Sequence, residues 1–295
     1  MQPIAPLLLF LSLLTPVWGW GMLGHRTTAL LATRYLTRPT SRQIRQLLKP
    51  QSLVTASTWA DYYSHTPHGR YSAPWHWIDA HDSPPSKCGV DYSRDCGETG
   101  CIVSALKNHT ARVNDKSLDW EQRQMSLKWV VHFVGDIHQP LHTEDLARGG
   151  NSIHVKFGGR NTNLHHVWDS SIAEKIVGGG GIKDAVNWAN DLYERIQKGE
   201  FRTEGKECKD LTKAEDCALQ WASETNMLMC GYVIPEGGLD GKELSGEYYE
   251  GAVEMVEKQI ALAGYRMGMW LNQMFEGQEL EESLWEQMVG LWEEL

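Results

Sequence analysis

Apolar residues recur along this chain mostly at three- and four-residue spacing, the period of an amphipathic helix. In "HRTTALLATRYL", from His25 to Leu36, Ala29, Leu30, Ala32 and Leu36 share one helical face. Ser41 to Leu48 reads as a short helix ended by Pro50. Asp119 with Gln122 has the form of a capping box; it opens a helix running to about His138, ahead of Pro140. Further helices are predicted over Lys183 to Gln197, Thr212 to about Val233, and Tyr248 to Phe275. Only "SIHVKF", from Ser152 to Phe157, reads as a strand, and the following "GGR" suggests a small hairpin. No repeat, low-complexity linker or domain boundary interrupts the pattern. It predicts a mainly α fold, one all-helical domain over 20–275 with a short β-hairpin. The stretch 276–295 is acidic and amphipathic, with Leu284, Met288, Leu291 and Trp292 at helical spacing, as in a peripheral helix.

The two ends change the picture. "MQPIAPLLLFLSLLTPVWG" carries no charge and has the apolar length of a signal-peptide core, although it lacks a basic start. Val17 and Gly19 put small residues at the positions a signal peptidase reads, so 1–19 is expected to be removed and Trp20 to become the amino terminus. The run is short for a membrane anchor, and no later segment is long and apolar enough to span a bilayer. The expected localisation is extracellular.

The chain has six cysteines, an even number that suits an exported protein. Cys96 and Cys101 could close a small local loop, Cys208 and Cys217 another, leaving Cys88 and Cys230 as a long-range staple; other connectivities remain open. No CxxC pair supports a cysteine zinc site. "NHT" at Asn108 is an N-glycosylation acceptor in a secreted chain. The formal charge of −10 argues against a broad basic nucleic-acid groove. It leaves open a site whose positive charge comes from bound metal.

Candidate chemistry gathers in "WVVHFVGDIHQPLH", Trp129 to His142. His132 and Asp136 stand four apart on one helix face, and His142 follows beyond Pro140. His165 and Asp169 repeat the His-x-x-x-Asp spacing in "NLHHVWD"; Asp61 ends "STWAD", His76 and Asp79 lie in "WHWIDA", and His25 follows closely on Trp20. A single such pair is equally explained by a buried histidine–carboxylate hydrogen bond. Two pairs plus His25, Asp61, His76 and His142 exceed what core pairing needs. Imidazoles and carboxylates without a thiolate are the donor set of a catalytic zinc site.

These motifs, with "WGMLGH", "GGNSI" and "GYRMGMWLN", occur in one order from Trp20 to about Asn272. In this the chain resembles the class I nucleases of fungi and plants, secreted trinuclear-zinc enzymes that prefer single strands and also act as 3′-nucleotidases. The resemblance implies a helical body with a short hairpin, shared with bacterial zinc phospholipases C. It implies three Zn²⁺: one on Asp61, His76, His132 and Asp136; one on the amino and carbonyl groups of Trp20, His25 and a bridging Asp136; one on His142, His165 and Asp169. It favours Cys88–Cys230 and Cys96–Cys101 and is silent on Cys208 and Cys217. Asn151 matches a position that holds substrate near the scissile phosphate, while Trp77 and Asp79 would supply a stacking face and a base-edge acceptor. Core packing, capping and turn roles are the structural alternatives for those three residues. One departure is Ser64, where the family often has Lys or Arg, a charge that Arg148 could replace. The expected activity is cleavage of single-stranded DNA and RNA to 5′-phosphate products by a monomer. The alternative is a zinc phospholipase C, which needs a lipid-facing apolar rim.

Overall fold

The computed structural model describes residues 20–277. The expected leader at 1–19 and the helix expected around Leu284 to Trp292 lie outside the described residues. Helices α1 (Met22–Thr33), α2 (Arg38–Leu48), α3 (Leu53–Ala56) and α4 (Trp59–Ser64) lead into a 3-10 turn, Arg70–His76. After α5 (Tyr92–Asp95), α6 (Ile102–Val113) and α7 (Trp120–Asp136) comes a second 3-10 turn, Pro140–Thr143. The hairpin β1 (His154–Phe157) and β2 (Arg160–Asn163) precedes α8 (Leu164–His166), a π-turn at Val167–Ser171, α9 (Ile172–Val177) and α10 (Ile182–Gln197). The order closes with α11 (Ala214–Leu228), a π-turn at Met229–Val233 and α12 (Glu247–Phe275).

Local chemistry accounts for the boundaries that matter. The Asp119 carboxylate accepts from Gln122 N at 2.8 Å and starts α7 where the capping pattern predicts. The helix ends at Asp136, short of the expected His138, because Gln139 precedes Pro140 and takes an extended backbone, φ −96° and ψ 120°. The chain turns there, and that turn carries His142. β1 and β2 pair antiparallel from His154↔Asn163 to Phe157↔Arg160. Gly158 and Gly159, both at positive φ, make their tight connection.

The expected α11 gives way to a π-turn, which carries Cys230 into its bond with Cys88. Cys96–Cys101 and Cys208–Cys217 are also joined. Helix α6 was not anticipated. Its buried Val103, Leu106, Thr110 and Val113 have helical spacing, but exposed Lys107 and Asn108 dilute the pattern.

Two apolar clusters fill the interior. One gathers α2, α3, α6, α7 and α11; the other gathers α8 to α10 and the π-turn after α11. Helices α1 and α12 contribute to both and pack closely on each other. A Cβ on Gly264 would meet Leu31 at 2.6 Å, and one on Gly268 would meet Tyr35 Cβ at 2.7 Å. Those glycines let the two helices cross at short range. None of the described helices is long and apolar enough to cross a membrane.

Candidate metal centre

Eight of the expected ligand side chains converge, each at most 5% exposed: His25, Asp61, His76, His132, Asp136, His142, His165 and Asp169. They come from α1, α4, the Arg70–His76 turn, α7, the Pro140–Thr143 turn, α8 and the π-turn after it. They form three groups: His25, His132 and Asp136; Asp61, His76 and His132; His142, His165 and Asp169. Within each group the donor atoms lie within 4.8 Å of one another.

Asp136 is the hub. Its Oδ1 lies 3.1 Å from His25 Nε2, and its Oδ2 lies 2.9 Å from His132 Nε2 and 3.0 Å from His76 Nδ1. Asp61 Oδ1 adds a contact at 3.2 Å to His132 Nε2. In the third group, Asp169 Oδ2 lies 3.1 Å from His165 Nε2. A π-turn widens the chain at Asp169, a local irregularity common at functional sites.

The far side of each ring decides its tautomer. His132 Nδ1 meets Ser57 O at 2.7 Å, His142 Nδ1 meets His76 O at 2.8 Å, and His165 Nδ1 meets Gly149 O at 2.6 Å. A carbonyl can only accept, so each Nδ1 carries the hydrogen and each ring, in its neutral form, turns a lone pair inward. This is how metal-binding histidines are held. The inward lone pairs face carboxylate oxygens, an arrangement that repels unless a cation or proton lies between. His25 Nε2, His142 Nε2, His165 Nε2, Asp61 Oδ2 and Asp136 Oδ1 are buried without a hydrogen-bond partner. Several lie near an opposite group, but without hydrogen-bond geometry. The donor set and these orphaned atoms fit metal ions.

Protonation shows the same tension. Burial opposes charge on His132, yet Asp136 and Asp61 hold its pKa well above the ordinary imidazole range. Burial works against the Asp136 carboxylate too, but His132 and His142 outweigh it and hold that pKa well below the usual range. Burial pushes Asp169 up to about 7 despite His165, and it lowers His142 to about 4. Protons and metal ions therefore compete for the same lone pairs.

A cavity of about 230 Å³ opens beside His142 and His165, lined by Trp77, Asp79, Glu144, Arg148 and Asn151 among others. Trp77 Nε1 donates to Asp79 Oδ2 at 3.1 Å, which fixes the indole against the cavity. Burial, then the nearby Asp145, raises Asp79 to about 6. Arg148 sits in a left-handed turn, with positive φ from Ala147 through Gly150. That turn brings Arg148 and Asn151 to the cavity and Gly149 O to His165. Asn151 Nδ2 donates one hydrogen to Arg148 O at 2.9 Å. The Ser64 hydroxyl donates to Asp61 O at 2.9 Å within its own helix. Asn108 is exposed on α6. Trp20 is fully buried, and the next residue, Gly21, donates its N–H to Asp169 O at 2.7 Å, which anchors the start of the described chain beside the third group.

Sequence reasoning missed Gly135 and Gln139. A Cβ on Gly135 would lie 2.8 Å from His25 Nδ1, so only glycine leaves room for that ring. A glycine inside a helical pattern costs about 1 kcal/mol against alanine, and that penalty was a readable signal.

The S1/P1 Nuclease family model matches residues 20–276. Nuclease S1 of Aspergillus oryzae is 41% identical over 283 residues, spanning 92% of this chain and 96% of its own length. Endonuclease 4 of Arabidopsis thaliana is 30% identical over 295 residues, spanning 93% and 95%. Among solved structures, the alpha toxin of Clostridium absonum aligns with a TM-score of 0.44 and 14% identity, covering 90% of this chain and 66% of the toxin; so slight a likeness carries no weight here. With a match from Trp20 to Glu276 and relatives aligned over nearly their whole length, the chain belongs to the S1/P1 nuclease family.

Proposed function

We propose that this protein is a secreted zinc-dependent endonuclease that cleaves single-stranded DNA and RNA to 5′-phosphate products and also acts as a 3′-nucleotidase. In this reading 1–19 is a removed signal peptide, 20–275 is the nuclease domain, working as a monomer, and 276–295 is an acidic tail. The observation that carries it is the set of buried, inward-facing imidazole and carboxylate atoms without partners. Three Zn²⁺ would be held as the family resemblance implies. Asp61, His76, His132 and Asp136 hold one, Trp20, His25 and Asp136 a second, and His142, His165 and Asp169 a third. Zinc at such a site supplies positive charge for the phosphate and brings the pKa of water down to about 7.

The chain's own residues supply the rest. The carbonyls of Ser57, His76 and Gly149 keep the ligand rings aimed inward. Arg148 offers positive charge at the cavity that Ser64 does not. The Trp77 face offers stacking to an unpaired base, and Asp79 an acceptor to its edge. Asn151 keeps one amide hydrogen for a phosphate oxygen. The charged and amide side chains at the cavity, Asp79, Glu144, Asp145, Arg148 and Asn151, favour a nucleotide over the acyl chains of a phospholipase C substrate.

Zinc content per chain should be measured alongside hydrolysis of single-stranded DNA and of phosphatidylcholine. The expected result is close to three zinc ions, loss of activity on chelation, and preference for DNA. Full activity with one ion or none, or preference for the lipid, overturns the proposal. Terminal sequencing of secreted protein should read "WGMLGH", since only a free Trp20 amine, with a pKa of about 8, is a useful zinc ligand.

A further inference from the structure

We infer that Gln139 is a positioning residue for the third metal group, tying the turn that carries His142 to the carboxylate of Asp169. The inference rests on the zinc reading above but concerns a residue outside the ligand set. Gln139 is fully buried and caps the Pro140–Thr143 turn, its Oε1 accepting from Leu141 N at 2.6 Å. That bond settles the amide's orientation, because Leu141 N can only donate. The amide nitrogen is left to donate to Asp169 Oδ1. Asp169 Oδ2 remains directed at His165 Nε2.

One neutral side chain therefore does two things. It fixes where His142 stands, because His142 lies in the turn that Gln139 caps. It also assigns the two Asp169 oxygens different tasks, one held and one free for an ion. Its side chain hydrogen-bonds to Asp169 and Leu141, and only its backbone N–H reaches the hub, donating to Asp136 O at 2.9 Å. Glutamate here would set a second carboxylate against Asp169, and methionine of similar length would leave Oδ1 without its donor. Partners of this kind typically change metal affinity about 10- to 100-fold.

The test uses zinc-loaded wild type, Gln139→Met and Gln139→Glu, each titrated with a chelator while released zinc is counted. In Gln139→Met, about one ion per chain should leave at 10- to 100-fold lower chelator strength, with the remainder held as in wild type. Gln139→Glu keeps an acceptor for Leu141 N, so it preserves the turn while setting a second carboxyl group against the Asp169 oxygen that Gln139 holds. It should show the same selective loss, which guards against a simple failure to fold. Wild-type release curves in both variants, or uniform weakening of every ion, overturn the role. If wild type itself holds no zinc that depends on His165 or Asp169, by comparison with Asp169→Asn, the zinc reading fails rather than this one.

Discussion

Two buried polar clusters meet near the end of α7. One is the ligand cluster around Asp136. The other surrounds Arg266 of α12, only 1% exposed, which donates to His138 Nε2 at 2.9 Å and to Lys206 O at 2.9 Å. Arg266 also pairs with Glu224 and lies over the Trp221 ring at 5.0 Å. His138 Nδ1 donates to Val134 O at 2.7 Å, and Gln259 donates to His138 O at 2.8 Å. Burial and then Arg266 hold the His138 pKa well below the ordinary range, so the ring stays neutral. Every nitrogen of that network faces a group of the opposite kind. In the ligand cluster, lone pairs face carboxylates and several atoms have no partner. A closed network marks structure, and an open one marks a place for a cation. His132 and His138 stand six residues apart, yet their partners put one in an open cluster and the other in a closed network.

Breaking the open cluster at its hub should have the largest effect. Asp136→Asn disturbs three imidazoles at once, and loss of metal-based charge stabilisation worth several kcal/mol corresponds to about a 1,000-fold fall in turnover or more. Turnover on a single-stranded oligonucleotide, measured with metal content, checks this; near-normal values for both would refute the hub. Breaking the closed cluster should act on stability instead. Arg266→Met leaves the His138 Nε2 and Lys206 O acceptors without their donor and should cost about 1–3 kcal/mol for each in denaturant unfolding, with zinc content unchanged in the folded fraction. A variant that stays stable but loses zinc would erase the distinction between the clusters.

Smaller effects sharpen it. Trp77→Ala should cost about 1–3 kcal/mol of base binding, weakening oligonucleotide cleavage more than hydrolysis of a phosphodiester without a base. Equal losses on the two substrates would make Trp77 structural. The smallest effect concerns His109, buried beside Ser126 and away from both clusters, which burial and then Arg112 lower to about 3. A depressed histidine pKa means the unfolded chain takes up the proton first. Stability present above about 6.5 is therefore lost as pH falls toward 3. His109→Gln should flatten the decline in unfolding free energy between pH 6.5 and 4, and an unchanged slope would show that His109 contributes nothing to it.

Much of the centre was legible in the chain. The spacing of His132 with Asp136, and of His165 with Asp169, put each pair on one helical face, and both pairs face inward together. Gln139 was legible only as a residue before proline, which predicts an extended backbone but says nothing about Asp169. Gly135 was visible as a helix-weakening residue, whereas the His25 ring that requires it lies 110 positions earlier in the sequence.

The features readable along the chain are local: helical period, the Asp119 cap, the break at Pro140, the Gly158–Gly159 turn, and a donor set of imidazoles and carboxylates suited to zinc. These follow from backbone sterics and side-chain chemistry within a few residues. Which polar groups meet depends on how distant segments pack. It set the Ser57, His76 and Gly149 carbonyls behind three rings, Arg266 against His138, and Gln139 between two turns. Two buried histidines share the same chemistry and differ in their surroundings, and long-range packing of α1, α7 and α12 supplies those surroundings.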